Sequence, residues 1–331
     1  MQNMQELQNN KLEYKSAGAA IIAEMDSLLA RSPGVINSIM VSLSEAHGKN
    51  IRGELTALAS CDSEMLAPVS AIKIGAAIEL LHLASLIHDD IIDDADTRRG
   101  RPSTHSRFVR KNAVISGDYL FCLCFSLISE AYSVGESPEY IDRISDFSKV
   151  MSALCLGEIR QSNHNFDLNL NFKNYLKIIG GKTGALFSLS MYAGSRAGGL
   201  EHHDARVYGK IGAYFGIIFQ LIDDYLDYEI GDMAGQKPVG KDIKEGIITL
   251  PLIYAIRKDP SIKEYISKNF SNKDLFDEVI ERVRTVGGPR YTKEIAQKYY
   301  NKTKRLIDSL DDHFKKEELT KILDKIYDRK M

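Results

Sequence analysis

Twice along this chain a long apolar run ends in a block of aspartates, and that pairing limits the folds open to it. Leu80 to Ile87, largely apolar (His82 aside), runs into Asp89-Asp90-Ile91-Ile92-Asp93-Asp94. Tyr214 to Ile222 runs into Asp223-Asp224-Tyr225-Leu226-Asp227. Apolar residues recurring at three- and four-residue steps over such a length predict helix. On a helix, positions i and i+4 share a face, so Asp89 pairs with Asp93 and Asp223 with Asp227. Carboxylates carried to the edge of an apolar core are costly unless something positive neutralises them. Hard divalent cations take oxygen ligands, and Mg²⁺ usually brings substrate phosphates into its shell. The pattern therefore points to Mg²⁺ and a diphosphate, with Asp89, Asp90, Asp93, Asp223, Asp224 and Asp227 as the metal-ligating candidates. The plainer reading, two solvated acidic helix faces, does not explain why each block follows an apolar run.

The rest of the chain reads as helix after helix. Periodicity predicts helices over 17–31, 36–47, 68–94, 111–134, 140–161, 175–199 and 204–230. Shorter helices continue over 247–258, 260–270, 273–285 and 290–328. His47-Gly48-Lys49-Asn50 reads as a turn, residues 97–106 as a loop broken by Gly100 and Pro102, and 231–246 as a glycine-rich loop with three lysines. Period-two strand patterns are absent, which predicts an all-α fold: one large single-domain helical bundle over residues 1–331, with 1–16 as a loose N-terminal extension. A net charge of −2 argues against binding nucleic acid through bulk positive charge. The four cysteines lack CxxC spacing and read as buried reduced thiols, so the expected location is cytoplasmic. The N-terminus has no basic-then-apolar signal pattern, and no uninterrupted apolar stretch reaches 18 residues, so no membrane span is expected.

Basic and polar groups surround the two blocks. Arg98-Arg99 follows the first, and guanidinium forks match phosphate oxygens. Lys49 and Arg52 flank a turn, and His82 sits two helical turns before Asp89 on nearly the same face. Lys182-Thr183 follows a Gly-Gly step, Gln220 precedes Asp223 by three residues, and Lys237 and Lys241 lie in the loop after the second block. Each alone reads as ordinary solvated chemistry; together they suit phosphate. Glu79 and His82 also make an ExxH step of the kind used in di-iron bundles, but no second ExxH partners it.

The string from Leu86 through Asp89 and Arg98 to Pro102 closely resembles the first aspartate-rich motif of the trans-prenyl diphosphate synthases, and Phe219 to Asp227 resembles their second. Gly48-Lys49 with Arg52, Gly117-Asp118-Tyr119-Leu120, Gly157-Glu158-Ile159, Gly181-Lys182-Thr183, and Gly240-Lys241-Asp242 followed by Thr249-Leu250-Pro251 resemble its lesser motifs, in the same order over residues 45 to 300. The wording is most similar to the medium- and long-chain branch, including the catalytic component of two-subunit heptaprenyl synthases. The resemblance implies a helical bundle around a deep central cavity, usually dimeric, in which three Mg²⁺ ions bridge both blocks to the diphosphate of an allylic substrate. It implies metal ligation by Asp89, Asp93 and Asp223, allylic diphosphate binding by Arg98, Lys182, Thr183, Gln220 and Lys237, and isopentenyl diphosphate binding by Lys49, Arg52, His82 and Arg99. The chain departs from the family string GGKR-x-RP, with Asn50 in place of an arginine and Gly53 in place of a proline.

The implied reaction is repeated condensation of isopentenyl diphosphate onto an allylic diphosphate. Short-chain relatives commonly place an aromatic just before the first block, where this chain has Ala84 and Ser85; the next turn down offers Leu81 as a partial floor. The volume left there predicts a product longer than farnesyl, of about six to eight isoprene units. A geranylgeranyl-length product, a class I terpene cyclase and a subunit of a heteromeric synthase are the alternatives. A homodimer, or a heterodimer with a small regulatory subunit, is the expected assembly, with any membrane association peripheral and through the product.

Overall fold

The computed structural model describes residues 11–44, 48–98, 101–132, 140–229, 240–269 and 276–329. Arg99 and Lys237 fall outside the described residues, as does the side chain of Arg98. The chain is built of helices: α1 (Tyr14–Ala30), α2 (Gly34–Ser44), α3 (Ile51–Ser60), α4 (Val69–Ile92), α5 (Thr104–Arg107), α6 (Arg110–Tyr132), α7 (Tyr140–Asn163), α8 (Phe172–Ile179), α9 (Ala185–Ala197), α10 (His202–Leu226), α11 (Lys241–Lys244), α12 (Leu250–Lys258), α13 (Ser261–Asn269), α14 (Phe276–Thr285), α15 (Gly288–Asp308) and α16 (His313–Tyr327). The only strands among the described residues form two short antiparallel pairs. Lys11–Glu13 (β1) pairs with Leu66–Pro68 (β2), and Thr97–Arg98 (β3) with Arg101–Pro102 (β4). The all-α expectation holds.

The residues divide into two compact units, 1–147 with 189–209, and 148–188 with 210–331. In the first, α4 is the core helix. Ala71, Ile74, Ala77, Ile78, Leu81 and Ala84 are all buried, and burial on nearly every side is what an all-round apolar helix requires. It packs on α1, α3 and α6. Helix α1 presents Ala17, Ile21, Met25 and Leu29 at four-residue steps, all buried. In the second, α12 packs on α15, and α15 on α14 and α16.

Several sequence expectations change. Residues 11–16 are not loose, because β1 pairs with β2 and α1 starts at Tyr14. Helix α3 forms over Ile51–Ser60, where periodicity predicts no element. The 175–199 stretch is two helices joined by a π-helical turn at Gly180–Gly184, and 290–328 is two helices parted at Ser309, where Asp312 caps α16 by accepting from the Lys315 N–H at 3.0 Å. The 97–106 loop contains a hairpin and α5. Cys61 and Cys124 are buried, but Cys122 and Cys155 are exposed. Helices Val69–Ile92 and Arg110–Ala131 are long and apolar enough to cross a membrane by mean hydropathy, which interrupted apolar runs had concealed; the apolar window of the first is 67% buried within the protein, the setting of a core helix.

Candidate active site

The first aspartate block closes α4. Asp89 is half-buried and Asp90 is 4% exposed, while Asp93 and Asp94 are exposed beyond the last turn. The Asp93 N–H donates to the Asp89 carbonyl at 2.8 Å, and the Ala95 N–H to the Asp90 carbonyl at 2.9 Å, so the chain turns off the helix there. Asp94 adopts a positive φ of 49°. Arg110 of α6 secures this turn, donating to Asp94 Oδ1 at 3.2 Å and to the Ile91 carbonyl at 2.5 Å. Arg98 lies on β3, directly after the block.

In the same unit, Lys49 is exposed and Arg52 half-buried, on either side of Asn50 at the start of α3. His82 is half-buried on α4. Glu79, one turn before His82, accepts the Gly53 N–H at 2.9 Å, so the Lys49–Arg52 turn and the His82 turn of α4 meet at one hydrogen bond. Leu81 and Ala84 are 1% and 0% exposed, and Ser85 is half-buried with its hydroxyl donating to the His82 carbonyl at 2.8 Å.

The second block closes α10, and here the structure gathers more than the sequence suggested. Asp224 is 1% exposed. Its Oδ2 accepts the Tyr175 hydroxyl at 2.5 Å and its Oδ1 the Gln220 amide N–H at 2.8 Å. The Gln220 oxygen accepts the Thr183 hydroxyl at 3.0 Å. Thr183, Gln220, Asp224 and Tyr175 thus form one relay. Burial, then repulsion from Asp223 and Asp227, pushes the Asp224 carboxyl up to about 7 against the lowering pull of Tyr175 and Gln220. Asp227 accepts the Lys241 and Asp242 N–H groups at 3.1 and 3.2 Å, at the start of α11. Burial first, then Asp223 and Glu245, holds it above the ordinary carboxylate range. Asp242 is raised by burial and by Asp224, Asp227 and Asp223 in turn. Asp223 Oδ1 accepts Arg329 Nη2 at 2.7 Å.

The π-helical turn places Lys182, whose ammonium donates to Glu158 Oε2 at 3.0 Å. A π-bulge inserts one residue into a helix and is frequent at functional sites. It packs directly on α7: a Cβ at Gly157 would lie 2.6 Å from the Lys182 nitrogen, so only glycine permits this approach.

Sequence reading missed Tyr175, Glu158, Asp242 and Arg329. Glu158 and Asp242 sit inside quoted motif strings and were findable there; Tyr175 and Arg329 carry no local signal. The donor set fits a hard divalent cation. It is oxygen-only, and burial first, with repulsion among neighbouring carboxylates, raises the proton affinity of Asp224, Asp227 and Asp242 around it. Among the described residues no group of three or more Asp, Glu, His or Cys side chains is placed to hold a metal ion by itself.

The polyprenyl synthetase family matches residues 33–284. Heptaprenyl diphosphate synthase component 2 of Geobacillus stearothermophilus is 30% identical over 88% of this chain and 89% of its own length. Solanesyl diphosphate synthase 2, chloroplastic, of Arabidopsis thaliana is 31% identical over 80% of this chain, which spans 64% of that relative's length. Among solved structures, a heptaprenyl diphosphate synthase from Staphylococcus aureus superposes with a TM-score of 0.87 at 27% identity, covering 97% of this chain and 100% of that one. A polyprenyl synthase from Caulobacter crescentus CB15, complexed with calcium and isoprenyl diphosphate, gives 0.83 at 28% identity over 96% of each. The chain therefore belongs to the polyprenyl synthetase family and is a prenyltransferase.

Proposed function

We propose that this chain condenses an allylic diphosphate with isopentenyl diphosphate, repeatedly and head to tail, to an all-trans polyprenyl diphosphate longer than farnesyl. The observation that carries this reading is the second block, where Asp223, Asp224 and Asp227 stand together at the end of α10 and Asp224 is joined through Gln220 to Thr183. Asp89, Asp90, Asp93, Asp223 and Asp227 would hold the Mg²⁺ ions, three by this reading. Asp224, with both oxygens bonded to side chains, is assigned to orienting Gln220 and Thr183. Magnesium held by these residues would supply charge neutralisation for the departing diphosphate.

The protein's own groups do the rest. Arg98, Lys182, Thr183, Gln220 and Lys237 hold the allylic diphosphate, and their fixed cations and donors favour the charge that grows as its C–O bond breaks. Lys49, Arg52, His82 and Arg99 hold isopentenyl diphosphate so that its double bond faces the allylic cation. That double bond attacks the cation to form the new C–C bond, and the cation this leaves loses a proton to the released diphosphate, restoring a double bond. Apolar helix faces exclude water, which would otherwise capture the cation. The component 2 name of a relative supports a second reading, a catalytic chain working with a non-identical partner; turnover by the purified chain alone decides against it. Single-domain organisation, a cytoplasmic setting and a homodimer complete the proposal.

The test is product analysis of the purified chain with each allylic primer, isopentenyl diphosphate and Mg²⁺. A ladder of products beyond fifteen carbons is expected, and a cyclised product formed without isopentenyl diphosphate refutes the reading. Ala84→Phe is expected to shorten the product, because an aromatic at this fully buried position adds bulk just before the first block. An unchanged length removes Ala84 from the floor.

A further inference from the structure

Glu79 has no part in the chemistry above, yet it is a carboxylate in the middle of an apolar helix and only 9% exposed. Such a group is retained only where its oxygens are bonded. Its Oε1 accepts the Gly53 N–H at 2.9 Å. Gly53 is the third residue of α3, and the first-turn N–H groups of a helix have no partners within it. The residue in front, Asn50, does not cap α3: it has a φ of +50°, and its amide N–H donates instead to the Gly18 carbonyl of α1 at 3.1 Å. Helix α3 is therefore capped from another helix, by an anion placed at the positive end of its dipole.

This arrangement follows from the chain's departure at position 53. Proline, the residue of the family string, has no N–H to give; Gly53 has one, and Glu79 takes it. A Cβ at Gly53 would stand 2.4 Å from Asn50 Oδ1 and 3.1 Å from Ile21 Cγ2, so a larger residue would displace the Asn50 side chain. Gly53, Asn50 and Glu79 form a matched set. Lys49 and Arg52 are the residues directly before Asn50 and Gly53, and His82 lies one helical turn after Glu79.

We propose that Glu79 is a positioning residue for the isopentenyl diphosphate subsite: by holding the Gly53 N–H it fixes the turn that presents Lys49 and Arg52 beside His82. This rests on the subsite assignment made above. Recognition of a diphosphate by cationic side chains needs their placement held to within about 0.5 Å, and the bond from Glu79 supplies that hold at the root of the turn.

Glu79→Met keeps the side chain's length and removes its acceptors. It is expected to raise KM for isopentenyl diphosphate about tenfold, the scale of one lost hydrogen bond to a charged group. KM for the allylic diphosphate should stay within about twofold, since that subsite takes nothing from this turn. Glu79→Gln keeps an acceptor oxygen, and the same KM should rise only about threefold; it carries the test if Glu79→Met does not fold. Calorimetric titration of the metal-free protein with isopentenyl diphosphate gives an affinity independent of turnover. An unchanged KM for isopentenyl diphosphate in both variants overturns the proposal, as does an equal rise in both KM values with a lowered melting temperature. Failure of the subsite assignment itself looks different: Lys49→Ala and Arg52→Ala would then leave isopentenyl diphosphate affinity unaltered. If those two variants are impaired and the Glu79 variants are not, only the role of Glu79 falls.

Discussion

Replacing Tyr175 by phenylalanine isolates the bond on which the second aspartate block is built. The Tyr175 hydroxyl donates to Asp224 Oδ2 at 2.5 Å, and Gln220 serves the other oxygen at 2.8 Å. Asp224 is 1% exposed, so water does not step in when a donor is lost. At a pH above the Asp224 value of about 7 the carboxylate is charged, and a hydrogen bond to a charged group contributes about 1.5–3 kcal/mol, the range into which a buried acceptor left short of a donor also falls. The ring stays, so no cavity opens. Tyr175→Phe is therefore expected to destabilise the protein by about 2 kcal/mol, which urea denaturation reads as a lower midpoint at unchanged slope. The cost belongs to the carboxylate, so it should shrink to under about 1 kcal/mol when Asp224→Asn is made as well, since paired residues in one network are not additive. A penalty equal with and without the Asp224 carboxylate refutes the argument, because Tyr175 would then contribute packing alone.

Two further outcomes follow from the same region. The Asp224 carboxyl is pushed up to about 7, burial being the largest cause, whereas an unfolded aspartate titrates near about 3.9. The folded state binds the extra proton, so its contribution to stability is full below about pH 4 and is lost as pH rises toward 7. In metal-free buffer the melting temperature of the wild type relative to Asp224→Asn should fall across that window, and a flat or rising difference contradicts the assignment. Gly157→Ala would put a Cβ 2.6 Å from the Lys182 nitrogen and 3.0 Å from the Gly181 carbonyl carbon, backbone atoms that cannot rotate aside. It should cost about 1–3 kcal/mol and lower turnover through a displaced Lys182; a variant of native stability and activity shows that the close approach is not needed.

What could be read in advance depended on how local the cause was. Helices α4 and α10 announce themselves because their apolar residues recur over more than five turns and end in charge. Helix α3 does not. Its ten residues contain Gly53, begin at a left-handed Asn50, and take their N-terminal cap from Glu79, 26 positions away. The π-helical turn is invisible to periodicity, because one inserted residue shifts the pattern no more than ordinary scatter does. The break between α15 and α16 had a readable cap in Asp312, but apolar spacing continues across it and masks the stop. Arg329 meets Asp223 over 106 positions, a contact no local pattern encodes. The aspartates were legible as residues; that Asp224 turns into the core while Asp223 meets an arginine required the structure.

Both blocks sit at helix C-termini, Asp89 and Asp90 in the last turn of α4, Asp223 and Asp224 in the last turn of α10. That is the negative end of the helix dipole, where an anion is disfavoured. Each helix nonetheless holds its carboxylates there, because the apolar residues behind them bury only if the helix runs to that point. At the first block Asp93 and Asp94 relieve the strain by standing in solvent. At the second the relief is internal and incomplete, through backbone N–H groups, a hydroxyl, an amide and Arg329. Folding thus assembles negative charge that the protein neutralises only in part, and a ligand bringing positive charge binds the folded state alone, so its binding free energy adds to stability. The same hydrophobic burial that defines the fold is what holds these carboxylates in place.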